Sequence, residues 1–354
     1  MLQFFPGRSN AQTAFARFAD SVMDAEKEFN GVVLVADQGK PVYHKAFGYR
    51  DLNVRTPLLA SDIFELASVS KQFTAFIIMK LKEQGKLNYD DSVSKYLDIP
   101  YKGITIRHLL THTSGLPDYQ EIMDKHWDKT KVAGNTEILE YLRIYAPPVL
   151  FIPGEKYKYS NTGYVLLASI AEKAAGRDFI QLCREWVFIP AKMRSTDIRS
   201  PKEKKATKNF TSGFEWIESS NRYVRADSFP DADYTIWLGN RKGPGRISSV
   251  AADLLLWDEE LYTNHLIKQS TLSEAFNPMK LNDGTLSAYG FGWELIDDPK
   301  TGKTVMHTGE NPGYTTIIIR YIGKHKTIIM LSNNAYPELG RLVRKFESVL
   351  LSNN

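Results

Sequence analysis

Ser68 and Lys71 stand three residues apart in Phe64-Glu65-Leu66-Ala67-Ser68-Val69-Ser70-Lys71-Gln72-Phe73. At the start of a helix that spacing puts both side chains on one face. A serine hydroxyl is a poor nucleophile until a neighbour takes its proton, and a lysine serves as that base only when burial or nearby positive charge lowers its pKa. The flanking apolar residues would bury the pair, and the free N–H groups of a helix start would favour the Ser68 amide as an oxyanion donor. A second group is Tyr159-Ser160-Asn161, between the Pro153-Gly154 turn and a helical run from Thr162. Its phenol can shuttle protons, and its amide can bond a substrate carbonyl or hold the lysine. A third is His307-Thr308-Gly309, at the end of a strand whose exposed backbone could carry a substrate.

Each of these motifs has a twin elsewhere in the chain. Ser92-Val93-Ser94-Lys95 repeats the first tetrapeptide letter for letter. Between Tyr89-Asp90-Asp91 and Tyr96-Leu97-Asp98-Ile99-Pro100, however, it reads as an exposed turn capped by aspartate. Tyr262-Thr263-Asn264 ends a helix with no Pro-Gly turn before it. Lys300-Thr301-Gly302 lies in Asp297–Lys303, turn chemistry that joins two strands. His108 and His112 are expected to buttress a cleft, and no glutamate follows His108 as a zinc-protease pattern requires. Neither a metal nor another cofactor is implied. Tyr119 and Gln120 are expected to reach the pocket, Phe229–Trp237 is either a lid or a packed loop, and Glu65 is assigned to helix-terminal electrostatics.

The elements that must position these groups follow from periodicity. Helical spacing marks Asn10–Phe29, Lys71–Gln84, Ile106–Leu110, Asn135–Tyr145, Thr162–Ala175, Phe179–Val187, Val250–Leu261 and Glu338–Leu351. Gly31–Ala36 and Pro41–Phe47 form a hairpin around Asp37-Gln38-Gly39-Lys40, and Tyr289–Ile296, Thr304–His307, Tyr314–Tyr321 and Thr327–Ser332 read as strands. Strands at both chain ends with helices between them predict an α/β (α+β) architecture. An antiparallel sheet flanked by helices would carry an inserted, mostly helical subdomain, with the cleft at their boundary. The expected unit spans residues 14–347. Residues 10–71 and 286–354 supply sheet and helices, and 72–285 supply the mainly helical region.

With 354 residues, 43% hydrophobic and 24% charged, the composition is that of a folded chain and excludes disorder. The apolar run around Phe73 to Leu81 is too short for a membrane span, so no integral membrane segment is expected. A net charge of +4, with Lys202–Lys208 read as a solvated loop, is no nucleic-acid signature. The one cysteine, Cys183, permits neither an internal disulfide nor a multi-cysteine metal site. Met1–Pro6 lacks the basic start and long apolar core of a secretory signal. The compartment is therefore periplasmic or secreted if a leader was removed, and cytoplasmic otherwise.

Ser-x-x-Lys, Tyr-x-Asn and a His- or Lys-started triplet, in this order, resemble the serine β-lactamase and penicillin-binding protein superfamily. The branch most similar is that of the class C β-lactamase-related hydrolases. Ile104–Pro117, with its His108-Leu109-Leu110-Thr111-His112-Thr113-Ser114-Gly115-Leu116-Pro117 core, and Tyr289-Gly290-Phe291-Gly292-Trp293 carry the same likeness. The resemblance implies a β-lactamase/transpeptidase-like fold and a serine hydrolase. Ser68 would be the acylated nucleophile, Lys71 its activating partner and Tyr159 the proton shuttle. Asn161 would contact the acyl group, and His307, Thr308 and Gly309 would line the site with Tyr119. The amides of Ser68 and Glu310 would form the oxyanion hole. Most relatives have lysine where His307 stands, and Gly243–Ser249 lacks the double glycine expected there. No equivalent of the class A deacylating glutamate is found, so deacylation would run through Tyr159 and Lys71. The implied substrate is a small ester, an amide, or a D-amino-acid or peptidoglycan-like compound, cleaved by an esterase or D-aminopeptidase. The alternatives are a class C-like β-lactamase, a D-Ala-D-Ala carboxypeptidase, and a non-catalytic peptidoglycan or ligand sensor.

Overall fold

Gly31–Asp37 (β1) is apolar at every position from Val32 to Ala36, as a strand covered on both faces must be. The computed structural model, which describes residues 10–228 and 234–352, places it inside a six-stranded sheet. Met1–Pro6, and Phe229–Asp233 of the segment read as a lid or a packed loop, lie outside the described residues. β1 is flanked by Lys40–Phe47 (β2) on one side. Glu294–Asp298 (β3), Gly302–Asn311 (β4), Tyr314–Tyr321 (β5) and Lys326–Ser332 (β6) complete the order β3-β4-β5-β6-β1-β2. All neighbours are antiparallel, and the chain's two ends meet where Gly31 pairs with Ser332 and Asp37 with Lys326.

The two-residue period of a strand sorts the side chains between two cores. Val33, Val35, Ile317, Ile319, Ile328 and Met330 pack under Asn10–Ala25 (α1) and the C-terminal helix Leu339–Leu350, through Phe15, Ala19, Leu342 and Phe346. Val32, Leu34, Ile318, Ile329 and Leu331 face the larger core of the helical region. At its centre lies Lys71–Glu83 (α2), packed on Asn161–Ala175 (α3) and on Ala251–Glu260 (α4), whose Trp257 ring centre is 4.7 Å from that of Phe73. Among the described residues no helix is long and apolar enough to cross a membrane.

Three expectations need correction. Tyr289–Trp293 is not strand but a turn, with the Gly290 N–H donating to the Trp293 carbonyl at 2.8 Å, and the strand begins only at Glu294. The cause is the first turn of α2, since a Cβ on Gly292 (φ +77°) would lie 2.8 Å from the Lys71 carbonyl oxygen. His307-Thr308-Gly309 lies inside β4 rather than at a strand end, because backbone pairing with β5 carries the strand on to Asn311 through polar residues. Lys202–Lys208 is no solvated loop either. Pro201–Ala206 is a helix whose capping box is built by Ser200 and Glu203, and it leaves Lys202 and Lys205 exposed while Lys204 turns inward to Glu65.

Candidate active site

Ser68 lies in a 3-10 turn, Ala67–Ser70, that leads directly into α2, so Lys71 is the first residue of the α-helix. The turn is pinned from both sides. Ile247–Ser249 pairs with Phe64–Glu65, and the Ile247 N–H donates to Ser70 Oγ at 3.1 Å. Thr316 Oγ1 of β5 donates to the Leu66 carbonyl at 2.9 Å. Ala67 is held at φ +49°, a strained backbone for a residue with a Cβ, immediately before the nucleophile candidate. Strand β4 runs so close that a Cβ on Gly309 would stand 2.2 Å from the Leu66 carbonyl oxygen and 3.1 Å from the Ser68 nitrogen. Glycine is therefore required at the last place of the third motif.

Lys71 Nζ is fully buried and stands 2.9 Å from each of three atoms, Ser68 Oγ, Asn161 Oδ1 and the Pro244 carbonyl oxygen. Two of these can only accept hydrogen bonds. A neutral amine satisfies them with its two N–H groups and leaves its lone pair facing the serine hydroxyl. Burial, and then the charge of Arg241, hold the Lys71 pKa well below that of a free lysine, with Asp118 opposing. Burial thus disfavours the charged form of this amine. Asn161 opens α3, and its Nδ2 donates to Asp118 Oδ2 at 3.3 Å, which fixes the amide with its oxygen toward the lysine.

Tyr159 is partly exposed, with its ring centre 4.7 Å from Lys71 Nζ and 4.2 Å from the His112 ring. Burial raises its phenol pKa, a hydrogen bond to Ser68 opposes this, and the group stays protonated at neutral pH. It can hand on a proton but does not rest as a phenolate. His112 Nδ1 accepts from the Ser160 N–H at 3.1 Å, and its ring, 1% exposed, packs on Tyr159 and Tyr164. His108 belongs to the capping box of Ile106–Leu110. Both rings are thus engaged in backbone contacts.

Ala67, Ser68, Tyr119, Asn161, Pro244 and Glu310 are among the walls of one small cavity of about 60 Å³ at the mouth of this cluster. Similarity to known proteins agrees with the geometry. The family model described as Beta-lactamase matches residues 15–349.

The chain belongs to the beta-lactamase family.

It is 40% identical to penicillin-binding protein 4* of Bacillus subtilis (strain 168) over 328 residues, 92% of this chain and 72% of the relative. To the D-aminopeptidase of Brucella anthropi it is 26% identical over 291 residues, 80% of this chain and 52% of that protein. The octameric penicillin-binding protein homologue from Pyrococcus abyssi shares the fold, with a TM-score of 0.81 at 24% identity, over 96% of this chain and 77% of the other. The chain is thus a serine hydrolase of the β-lactamase and penicillin-binding protein superfamily, with the antiparallel sheet and flanking helices of that fold.

Within this family frame, His307 stands with its ring centre 6.2 Å from that of Tyr159. Its side chain is 1% exposed and faces the interior, so the imidazole is no open carboxylate anchor. Nδ1 lies 2.6 Å from the Thr308 carbonyl oxygen, to which it donates, and Nε2 lies 2.8 Å from Tyr289 Oη, from which it accepts. Burial, then the charge of Lys71, push its pKa down to about 3. Thr308 and Glu310 alternate to the exposed face of β4, and Glu310 reaches the cavity wall. Tyr119 lines the cavity as expected, as does Gln120.

Glu65 is not a helix-terminal charge. Its carboxylate accepts from Lys204 at 2.6 Å and from Asn311 Nδ2 at 3.2 Å. Burial raises its pKa, but Lys204, Arg241 and Arg246 bring it to a net value below the ordinary carboxylate range. Sequence reasoning also missed Pro244, Asp118 and Arg241. Pro244 acts through a carbonyl that any residue carries, and Arg241 has no local pattern around it. Asp118 had one signal, since it caps the helix Tyr119–His126 with a bond from the Gln120 N–H at 2.9 Å. Of the twins, Ser92 and Lys95 sit in an exposed 3-10 turn far from this cluster in the fold, and Lys300-Thr301 forms the hairpin tip between β3 and β4.

Proposed function

We propose that this chain hydrolyses small esters or amides through an acyl-enzyme on Ser68. The observation that carries the reading is the Lys71 amine, buried among Ser68, Asn161 and the Pro244 carbonyl. Neutral Lys71 takes the Ser68 proton as Oγ attacks the substrate carbonyl. The Ser68 and Glu310 amides receive the oxyanion, and Asn161 holds Lys71 and meets the acyl group. Tyr159 passes the proton from Lys71 to the leaving group, and the same pair activates the water that releases the acid. No fixed cation stands at His307, which favours an esterase or a D-amino-acid peptidase over an efficient β-lactamase. The relative named D-aminopeptidase supports this reading. The 40% identity to penicillin-binding protein 4* favours a second one, in which β-lactams acylate Ser68.

The test is hydrolysis of 4-nitrophenyl butyrate, a D-alanine 4-nitroanilide and a chromogenic cephalosporin by wild type and Ser68→Ala, with a fluorescent penicillin as a label. Turnover of the ester or anilide that vanishes in the variant supports the first reading. Cephalosporin turnover, or stable labelling by penicillin, that depends on Ser68 supports the second. If no substrate is turned over and no label attaches to Ser68, the protein is a ligand sensor and the proposal fails.

A further inference from the structure

The cavity beside Ser68 contains a cation that meets no carboxylate among the described residues. Arg241 is only 7% exposed, yet among the described residues its guanidinium forms no ion pair and donates no hydrogen bond. Its Cζ lies 5.4 Å from the centre of the Tyr234 ring, and both residues line the cavity with Ser68 and Asn161. A buried charge without a partner is costly, so such a group implies a ligand that completes it.

The anions around it are committed elsewhere. Glu65 is held by Lys204 and Asn311. Asp118 accepts from the Gln120 N–H and from Asn161 Nδ2. Glu310 is exposed on the cavity wall and makes no ion pair with Arg241. Arg246 adds a second buried cation, 5% exposed, whose own N–H groups go to the Arg241 and Arg199 carbonyls at 3.1 and 2.8 Å. Lys204, Arg241 and Arg246 stand here against Glu65, Asp118 and Glu310, and of the three cations only Arg241 faces the cavity. The Tyr119 hydroxyl, also on the cavity wall, has no hydrogen-bond partner among the described residues. Burial pushes its pKa up to about 12, so it is a neutral donor. A cation and a donor without partners among the described residues are the equipment for binding a carboxylate. At about 60 Å³ the space admits only a few water-sized groups, which suits one acid group rather than a long acyl chain.

We propose that Arg241 is the carboxylate anchor of this enzyme, with Tyr119 as its neutral second donor, so that the substrate cleaved at Ser68 bears an acid group within one small residue's length of the scissile bond. The inference rests on the Ser68 reading above.

Arylboronic acids, which form tetrahedral adducts with a nucleophilic serine, separate the two ideas. Inhibition constants would be measured for 3- and 4-carboxyphenylboronic acid, for their carboxamide analogues and for phenylboronic acid. In wild type at least one acid should bind about tenfold more tightly than its amide, as a charge-assisted pair allows. Arg241→Gln should bring that ratio close to one, and Arg241→Lys should restore part of it. If the boronic acids inhibit but no acid outdoes its amide in wild type, the anchor is overturned while Ser68 stands. A ratio that persists in a folded Arg241→Gln overturns it equally. If no boronic acid inhibits, the Ser68 reading fails and takes this inference with it. The wild-type ratio is decisive even if Arg241→Gln does not fold.

Discussion

Ser68-Val69-Ser70-Lys71 and Ser92-Val93-Ser94-Lys95 are the same four letters in two surroundings. Lys71 is fully buried, and two of its three partners are residues 90 and 173 positions away along the chain. Lys95 is exposed and pairs at 3.0 Å with Asp91, four residues before it. Ser92 Oγ has only Ser94 Oγ for company, at 2.7 Å. Burial drives the pKa of Lys71 down, whereas a hydrogen bond to Asp91 moves that of Lys95 up. A tetrapeptide supplies the atoms of a nucleophile and base, but the fold decides whether the amine holds a lone pair or a proton.

The sharpest break of that contrast is at the serines. Ser68→Ala should lower ester or anilide turnover by about a thousandfold or more, as loss of a nucleophile does, while Ser92→Ala leaves it unchanged. A fluorophosphonate probe, with the modified peptide located by mass spectrometry, should mark Ser68 alone. Modification of Ser92 would reverse the assignment.

At the lysines the expected effect is smaller and carries a pH signature. Lys71→Met should reduce kcat/KM by at least about a hundredfold through loss of the base, and Lys95→Met should not change it. A protonated Lys71 cannot take the serine proton, so in wild type kcat/KM should rise with pH through the Lys71 pKa. Because burial and Arg241 depress that pKa, the rise should be complete well below the 10.5 of an ordinary lysine. An activity that climbs only as free lysine titrates would mean that the amine rests charged. Arg241→Gln removes a neighbouring positive charge and should move the rise to higher pH.

Buried and exposed ion pairs extend the same contrast to stability. Lys204 and Glu65 are both nearly buried at 2.6 Å. Lys204→Met would leave the carboxylate with Asn311 as its only direct partner and should cost about 3 kcal/mol in urea unfolding. Lys95→Met should leave the unfolding midpoint where it was, because an exposed pair contributes little.

What could be read from the chain divides along the same line. The strands Gly31–Asp37, Tyr314–Tyr321 and Lys326–Ser332 and the helices Ile106–Leu110 and Asn135–Tyr145 follow from apolar period and turn residues, which are local signals. The hairpin Phe214–Ile217 with Arg222–Arg225 was not legible, because strands of four residues are too short for an apolar period to show. In the site, the order of the three motifs was visible. The Pro244 carbonyl was not, since a backbone acceptor carries no side-chain signature. Lys204 was misread because charge clusters are solvated by default, and only the opposing Glu65 makes burial tolerable. The depth of His307 was not legible either, because the partners that enclose its ring, Tyr289 among them, are distant in sequence.

The smallest expected effect is at His307, where none should appear. Its Nδ1–H is spent on the Thr308 carbonyl and its Nε2 accepts from Tyr289, so the ring is complete as a neutral tautomer. A proton added at Nε2 would meet the Tyr289 hydroxyl inside the fold, and burial, then the charge of Lys71, take the pKa to about 3. Between pH 5 and 8 the imidazole 15N shifts of His307 should therefore stay constant, and the affinity for a carboxyphenylboronic acid should show no step assignable to this ring. An acid anchored by His307 would instead bind more tightly as the pH fell toward 6. A His307 resonance that titrates in that range, together with tighter acid binding, would return the anchor to the imidazole. It would also show that β4 does not bury the third motif as deeply as the 1% exposure of this ring requires.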